Sequence, residues 1–153
     1  TLEGNALIKA RHVWERYGLY CFADDTGLEV EALDGAPGVY SARFAGEHAT
    51  FEENVALLLE RLKGVPAPRR ACFRTVIALI DEYGTHFFEG AVNGEITLER
   101  SGDHGFGYDP VFRPEGCQQT FAELSSEEKN AMSHRGRAVQ RLARYLHALP
   151  LTE

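Results

Sequence analysis

The order of segments along this chain predicts an α/β domain in which helices flank one mixed β-sheet. Three observations carry that expectation. The chain opens on an apolar stripe with helical spacing, it closes on a second, and between them two long β-type runs meet at a glycine. A regular alternation of strands and helices, which would predict an all-parallel sheet, is missing.

Leu2, Ala6, Ile8, Ala10, Val13 and Trp14 fall largely on one side of a helix running to about Tyr17, with Gly18 as its stop. Leu19 to Ala23 reads as a buried strand. Leu28 to Leu33 reads as a half-buried one, because Leu28, Val30 and Ala32 alternate with Glu29 and Glu31. The acidic segment Asp24-Asp25-Thr26-Gly27 between them has the composition of a turn. Asp34 to Phe44, punctuated by Gly35, Pro37 and Gly38, is a loop. Thr50 begins a helix to about Leu62, and Glu53 completes its capping box. After the break at Gly64 to Pro68, Ala71 to Asp81 and Thr85 to Leu98 read as two strands joined near Gly84 into a hairpin, the second bent near Asn93-Gly94. The last helix sets Ala138, Leu142, Tyr145, Leu146 and Leu149 toward the core and Arg137, Arg141 and Arg144 outward. The whole of 1–153 is expected to form one domain.

Hydrophobic residues make up 44% and charged residues 25% of the chain, an ordinary balance for a folded globular protein. The net charge of -7 argues against a nucleic acid polymer as partner, since such binding rests on many cationic contacts with phosphate. Positive charge is nonetheless gathered late. Lys129, Arg135, Arg137, Arg141 and Arg144 occur with no acidic residue between Lys129 and Thr152, so a compact anion can be held, especially with a divalent metal. Apolar runs such as Val76 to Ile80 fall far short of the ~20 residues of a membrane span. Thr1 to Asn5 lacks the basic flank and apolar stretch of a secretory signal, so no membrane partner is expected. Cys21, Cys72 and Cys117 are odd in number and lack metal-ligand spacing, which predicts reduced, buried thiols in a cytoplasmic protein.

Four segments carry chemistry. Asp24 and Asp25 place two carboxylates side by side, and a bound Mg²⁺ would relieve their repulsion while joining them to substrate phosphates. The second acid would then be free to deprotonate a water. An Asx-type turn, in which both acids cap local amides, would use the same residues without chemistry. In Gly105-Phe106-Gly107-Tyr108-Asp109-Pro110, the glycines let backbone approach a ligand, and Phe106 and Tyr108 offer ring faces for a base. Asp109, before Pro110, accepts hydrogen bonds in a fixed direction. A tight turn with both rings folded into the core is the other reading. Lys129, His134 and Arg135 cluster as a cationic grip, with a solvated helix face as the alternative. As a point charge on phosphate, Lys129 is expected to matter for KM and turnover while its removal leaves thermal stability nearly unchanged. Arg43, in an otherwise small and apolar loop, is placed to reach a phosphate.

Together these segments resemble the inosine triphosphate pyrophosphatase family, also called XTP/dITP diphosphatases. The resemblance runs through Asn5 to Ala10, Ala23 to Leu28, Gly35 to Arg43, Gly105 to Pro110, Ala122-Glu123-Leu124 with Glu128-Lys129-Asn130, and Ser133 to Gly136. It implies an elongated fold with two lobes around a nucleotide cleft and a homodimer. The implied activity is Mg²⁺-dependent hydrolysis of ITP, dITP and XTP to the monophosphate and pyrophosphate. It further implies that Asp25 is the proton acceptor and a metal site, that Asp24 is a second metal ligand, and that Thr26 touches substrate. The resemblance likewise implies that Phe106, Gly107, Tyr108 and Asp109 form the base pocket, that Lys129 binds phosphate, and that His134 and Arg135 contact the base region. Family members begin with a strand and a Thr/Ser-X-Asn-X-X-Lys loop, whereas Thr1 matches the start of their next helix, and Gly4 stands where many have Glu. The chain is therefore expected to lack the family's N-terminal segment, which leaves a catalytically inactive nucleotide-binding module as the alternative. A pyrophosphatase for modified pyrimidine nucleotides is a second.

Overall fold

The computed structural model describes residues 1–149, so the last positions of the expected 1–153 domain lie outside the described residues. The elements are α1 (Leu2–Tyr17), β1 (Cys21–Val30), β2 (Pro37–Gly38), α2 (Phe51–Arg61), β3 (Arg70–Asp81), β4 (Gly84–Ile96), β5 (Phe112–Pro114), α3 (Ser126–Met132) and α4 (His134–Ala148). One sheet runs in the order β2-β1-β3-β4-β5. The α/β class stands, with helices on both faces. Strand direction is a correction: where a mixture was expected, every pairing among the described residues is antiparallel. The short turn at Glu82-Tyr83 returns β4 along β3, and the longer connections bring β1 and β5 alongside in reversed direction as well.

The second correction concerns the acidic segment, which is not a turn. Leu19 to Ala23 and Leu28 to Leu33, expected as separate strands, are replaced by the unbroken β1, paired with β3 from Cys21↔Ile80 to Val30↔Ala71. The apolar stretch of β3 supplies ladder partners for Asp24 and Asp25, and tertiary pairing overrides their turn-like composition. The chain reverses later, after a short 3-10 turn at Glu31–Leu33, where Asp34 takes a left-handed φ of 53°. β4 continues without a break through Asn93-Gly94 to Ile96. At Gly94 a Cβ would meet Arg113 O at 2.3 Å, so glycine there permits the close approach of β5.

The sheet is packed differently toward its two ends, in keeping with a two-lobed plan. At one end α2 inserts Val55 and Leu58 among Leu28, Phe73, Phe112 and Phe121. At the other, the sheet lies between two helices. α1 sets Ala6 and Ala10 against Ala78 and Ile80, while α4 sets Ala138 and Leu142 against Ile77 and Leu79 on the opposite face. The stripe on α1 is narrower than the sequence suggests, since Ile8 is exposed. Alanine at the contacts brings α1 close to the strands. α4 comes equally close at Gly90, where a Cβ would lie 2.0 Å from His134 O.

Cys21, Cys72 and Cys117 are free thiols but half-buried rather than buried as expected. Among the described residues no helix is long and apolar enough to cross a membrane.

Candidate active site

Adjacent residues of a strand point to opposite faces of the sheet, and this rule decides what Asp24 and Asp25 can do. Asp24 projects toward α4, where its Oδ2 lies 3.4 Å from Arg135 Nη2. Thr26 shares that face and its hydroxyl bonds to the buried Thr75 hydroxyl at 2.7 Å. Asp25 projects toward α1, with Oδ1 3.3 Å from Lys9 Nζ, and the same ammonium donates to Asp24 O at 2.9 Å. The two carboxylates are therefore not gathered into one cage. Asp25 Oδ2 is buried without a hydrogen-bond partner.

On the α4 face lies a cavity of about 450 Å³. Thr26, Phe51, Phe106, Gly107, Tyr108, Asp109, Lys129, His134 and Arg135 all line it. Ser133 caps α4 through its hydroxyl, which accepts from Gly136 N at 3.0 Å and fixes the first turn from which His134 and Arg135 project. His134 stacks on Phe73, with centroids 4.8 Å apart and ring planes 12° from parallel. Burial, followed by the nearby charges of Arg135 and Lys129, lowers its pKa to about 4, so the imidazole is neutral at physiological pH.

The Gly105 to Pro110 loop is closed by Asp109. Gly105 has a φ of 74°, and a Cβ there would fall 2.2 Å from Asp109 Oδ2, so glycine is required twice over. The buried Asp109 carboxylate accepts from Phe106 N at 3.1 Å and from Lys129 Nζ at 2.5 Å. The ammonium also stands 4.7 Å from the centre of the Phe106 ring. The two aromatic residues of the loop part company. Phe106 is 58% exposed, whereas Tyr108 is packed in the core, its hydroxyl donates to Ser41 O at 2.6 Å, and burial raises the pKa of the phenol. Ser41 in turn accepts from Leu28 N and donates to Gly38 O, which ties the loop after β2 to β1. Arg43 is exposed over the Tyr40 ring at 5.1 Å and does not line the cavity.

Two residues that sequence reasoning passed over belong to this region. Lys9 looks like any solvated helix lysine until α1 is laid on β1. Phe51 is the first residue of α2, and a large apolar side chain there was the available signal.

A magnesium ion commonly takes one or two carboxylates and completes its shell with phosphate oxygens and water. No group of three His, Cys, Asp or Glu side chains gathers among the described residues. The unpartnered oxygen of Asp25 fits such a one-carboxylate arrangement, and Asp24, on the other face, does not join it.

The model of the Ham1 family matches residues 1–145. A dITP/XTP pyrophosphatase of Porphyromonas gingivalis is 63% identical over 146 residues, covering 95% of this chain and 75% of that protein. One from Flavobacterium johnsoniae is 52% identical over 148 residues, covering 97% and 77%. Among solved structures, a HAM1 protein from Coxiella burnetii superposes with a TM-score of 0.93 at 44% identity, covering 97% of this chain and 78% of that one.

Proposed function

The chain belongs to the Ham1 family, and from that premise we propose that it hydrolyses the noncanonical purine nucleoside triphosphates ITP, dITP and XTP to the monophosphate and pyrophosphate. The observation that carries this reading is the cavity beside β1, where an exposed aromatic ring, a lysine, an arginine and a neutral histidine converge next to Thr26. The purine base lies in it, against Phe106 and His134. The triphosphate reaches round the outer edge of β1, whose Cys21 to Gly27 stretch has no second strand partner among the described residues, to Asp25 on the other face. Thr26 borders this path.

Asp25 accepts the proton of the attacking water, and Lys9 beside it holds the carboxylate in place. Mg²⁺, for which Asp25 is the residue that would provide the ligand, supplies charge neutralisation to the phosphate chain when bound. Asp24 orients Arg135. Lys129, expected on phosphate, stands instead beside the Phe106 ring, and with Arg135 it presents donors, which suit the 6-keto oxygen of hypoxanthine or xanthine and oppose the 6-amino group of adenine. A mismatch of that kind in a buried site discriminates by ~10⁴-fold. GTP keeps the 6-keto group and is rejected less strongly. The setting that goes with this activity is the cytoplasm, where Cys21, Cys72 and Cys117 remain thiols, and the other partner is a second copy of the chain in a homodimer.

Phosphorus NMR of ITP turnover with Mg²⁺ should show IMP and pyrophosphate as the first products, with ATP turned over least among the purine triphosphates. Asp25→Asn should lower kcat by at least ~10²-fold while changing ITP affinity much less. IDP with orthophosphate as first products, or equal rates on ATP and ITP, would refute the reading.

A further inference from the structure

Phe51 occupies an odd place for a large apolar side chain. Phe51, Val55 and Leu58 on one face of α2, and Leu62 just past its end, follow one another at helical spacing, and all but Phe51 are buried. The stripe runs past the edge of the core and out over the cavity, leaving Phe51 52% exposed among the residues that line it. Its ring lies 6.2 Å from that of Phe106, tilted by 40°. Neither ring belongs to a core cluster. Two half-exposed phenylalanines thus meet at the cavity mouth and form a corner.

Phe51 is also held firmly. Thr50 and Glu53 close the capping box around it, and Arg100 donates to Glu52 O at 2.8 Å. The buried Asn54 ties α2 to the preceding loop, with Oδ1 accepting from Ala45 N and Nδ2 donating to Ala42 O. A ring fixed this way, facing a ligand cavity and covered by nothing among the described residues, is a preformed contact surface.

We propose that Phe51 is a base-binding residue that forms the second wall of the purine site, the base lying with its face on one ring of the corner and its edge on the other. The centroid separation is too small to admit a base between the two rings, so Phe51 adds a wall rather than a sandwich. This inference rests on the nucleotide reading above. An aromatic wall carries no hydrogen-bond pattern, so it contributes equally to hypoxanthine and xanthine and equally in ground and transition states. Its removal therefore acts on KM, not on kcat or on the ranking of bases.

Steady-state kinetics on ITP and XTP, with Phe51→Ala, Phe51→Leu and Phe51→Tyr, test it. KM should rise about tenfold on both substrates in Phe51→Ala, with kcat within about twofold of wild type. Phe51→Tyr should restore KM, and Phe51→Leu should restore it only in part. If the wild type turns over ITP and Phe51→Ala does so with unchanged KM, or if Phe51→Leu matches the wild type, this inference falls and the activity stands. If the wild type does not turn over ITP, the activity falls instead, and calorimetry with IMP decides. Binding weakened by Phe51→Ala keeps the aromatic wall, and equal or absent binding in both proteins removes it.

Discussion

Lys129 serves two groups with one ammonium. It neutralises the buried Asp109 carboxylate, which closes the Gly105 to Pro110 loop, and it stands over the exposed ring of Phe106. Cutting it back leaves a carboxylate in the interior without its counter-charge, held only by the Phe106 amide. Lys129→Ala should therefore destabilise the protein by about 3 kcal/mol, read as a lower urea midpoint, besides raising KM for ITP. The double variant Lys129→Met with Asp109→Asn should recover part of that loss, because no charge is then left unpaired. From the sequence, Lys129 reads as a phosphate-binding cation whose removal leaves thermal stability nearly unchanged. Its partner stands across a long separation in a glycine-rich loop whose closure depends on side-chain geometry, and no local pattern records that. Tyr108 was opaque for the same reason: nothing in Phe106-Gly107-Tyr108 says which ring turns into the core.

At the scale of elements, the placement of His134 and Arg135 depends on how closely α4 lies on β4. Gly90 is the point of contact, and a methyl group there would run into His134 O and Ala138 N. Gly90→Ala should lift the first turn of α4 off the sheet. It is expected to lower the melting temperature by several degrees and to raise KM for ITP, because the cavity loses its helix wall. A melting temperature within a degree of the parent would mean that α4 adjusts freely. Elements with their own local signals were legible in advance, including the Thr50 and Glu53 capping box, the Gly18 stop and the β3 to β4 hairpin. β1 was not. Its middle is Asp-Asp-Thr-Gly, a run that favours turns, and only pairing with β3 along its full length makes it a strand.

Across the whole molecule, the buried neutral His134 links stability to pH. In the unfolded chain a histidine titrates near 6.5, whereas folding depresses His134 to about 4. Between those values the unfolded state binds a proton that the native state does not, so stability falls as pH is lowered from about 6.5 toward 4 and is unaffected by this group above that window. Calorimetry should show the melting temperature of the wild type declining more steeply than that of His134→Gln over that range. Equal slopes would show that carboxylates alone set the acid limit. The same histidine sits at the end of the sheet flanked by α1 and α4, near the strand that sends one carboxylate toward each helix. A nucleotide bent over the edge of β1 would touch Lys9 and Asp25 on the α1 side and Arg135 on the α4 side, bracing two layers that pack on opposite faces. Substrate would then act as a tie between the helices.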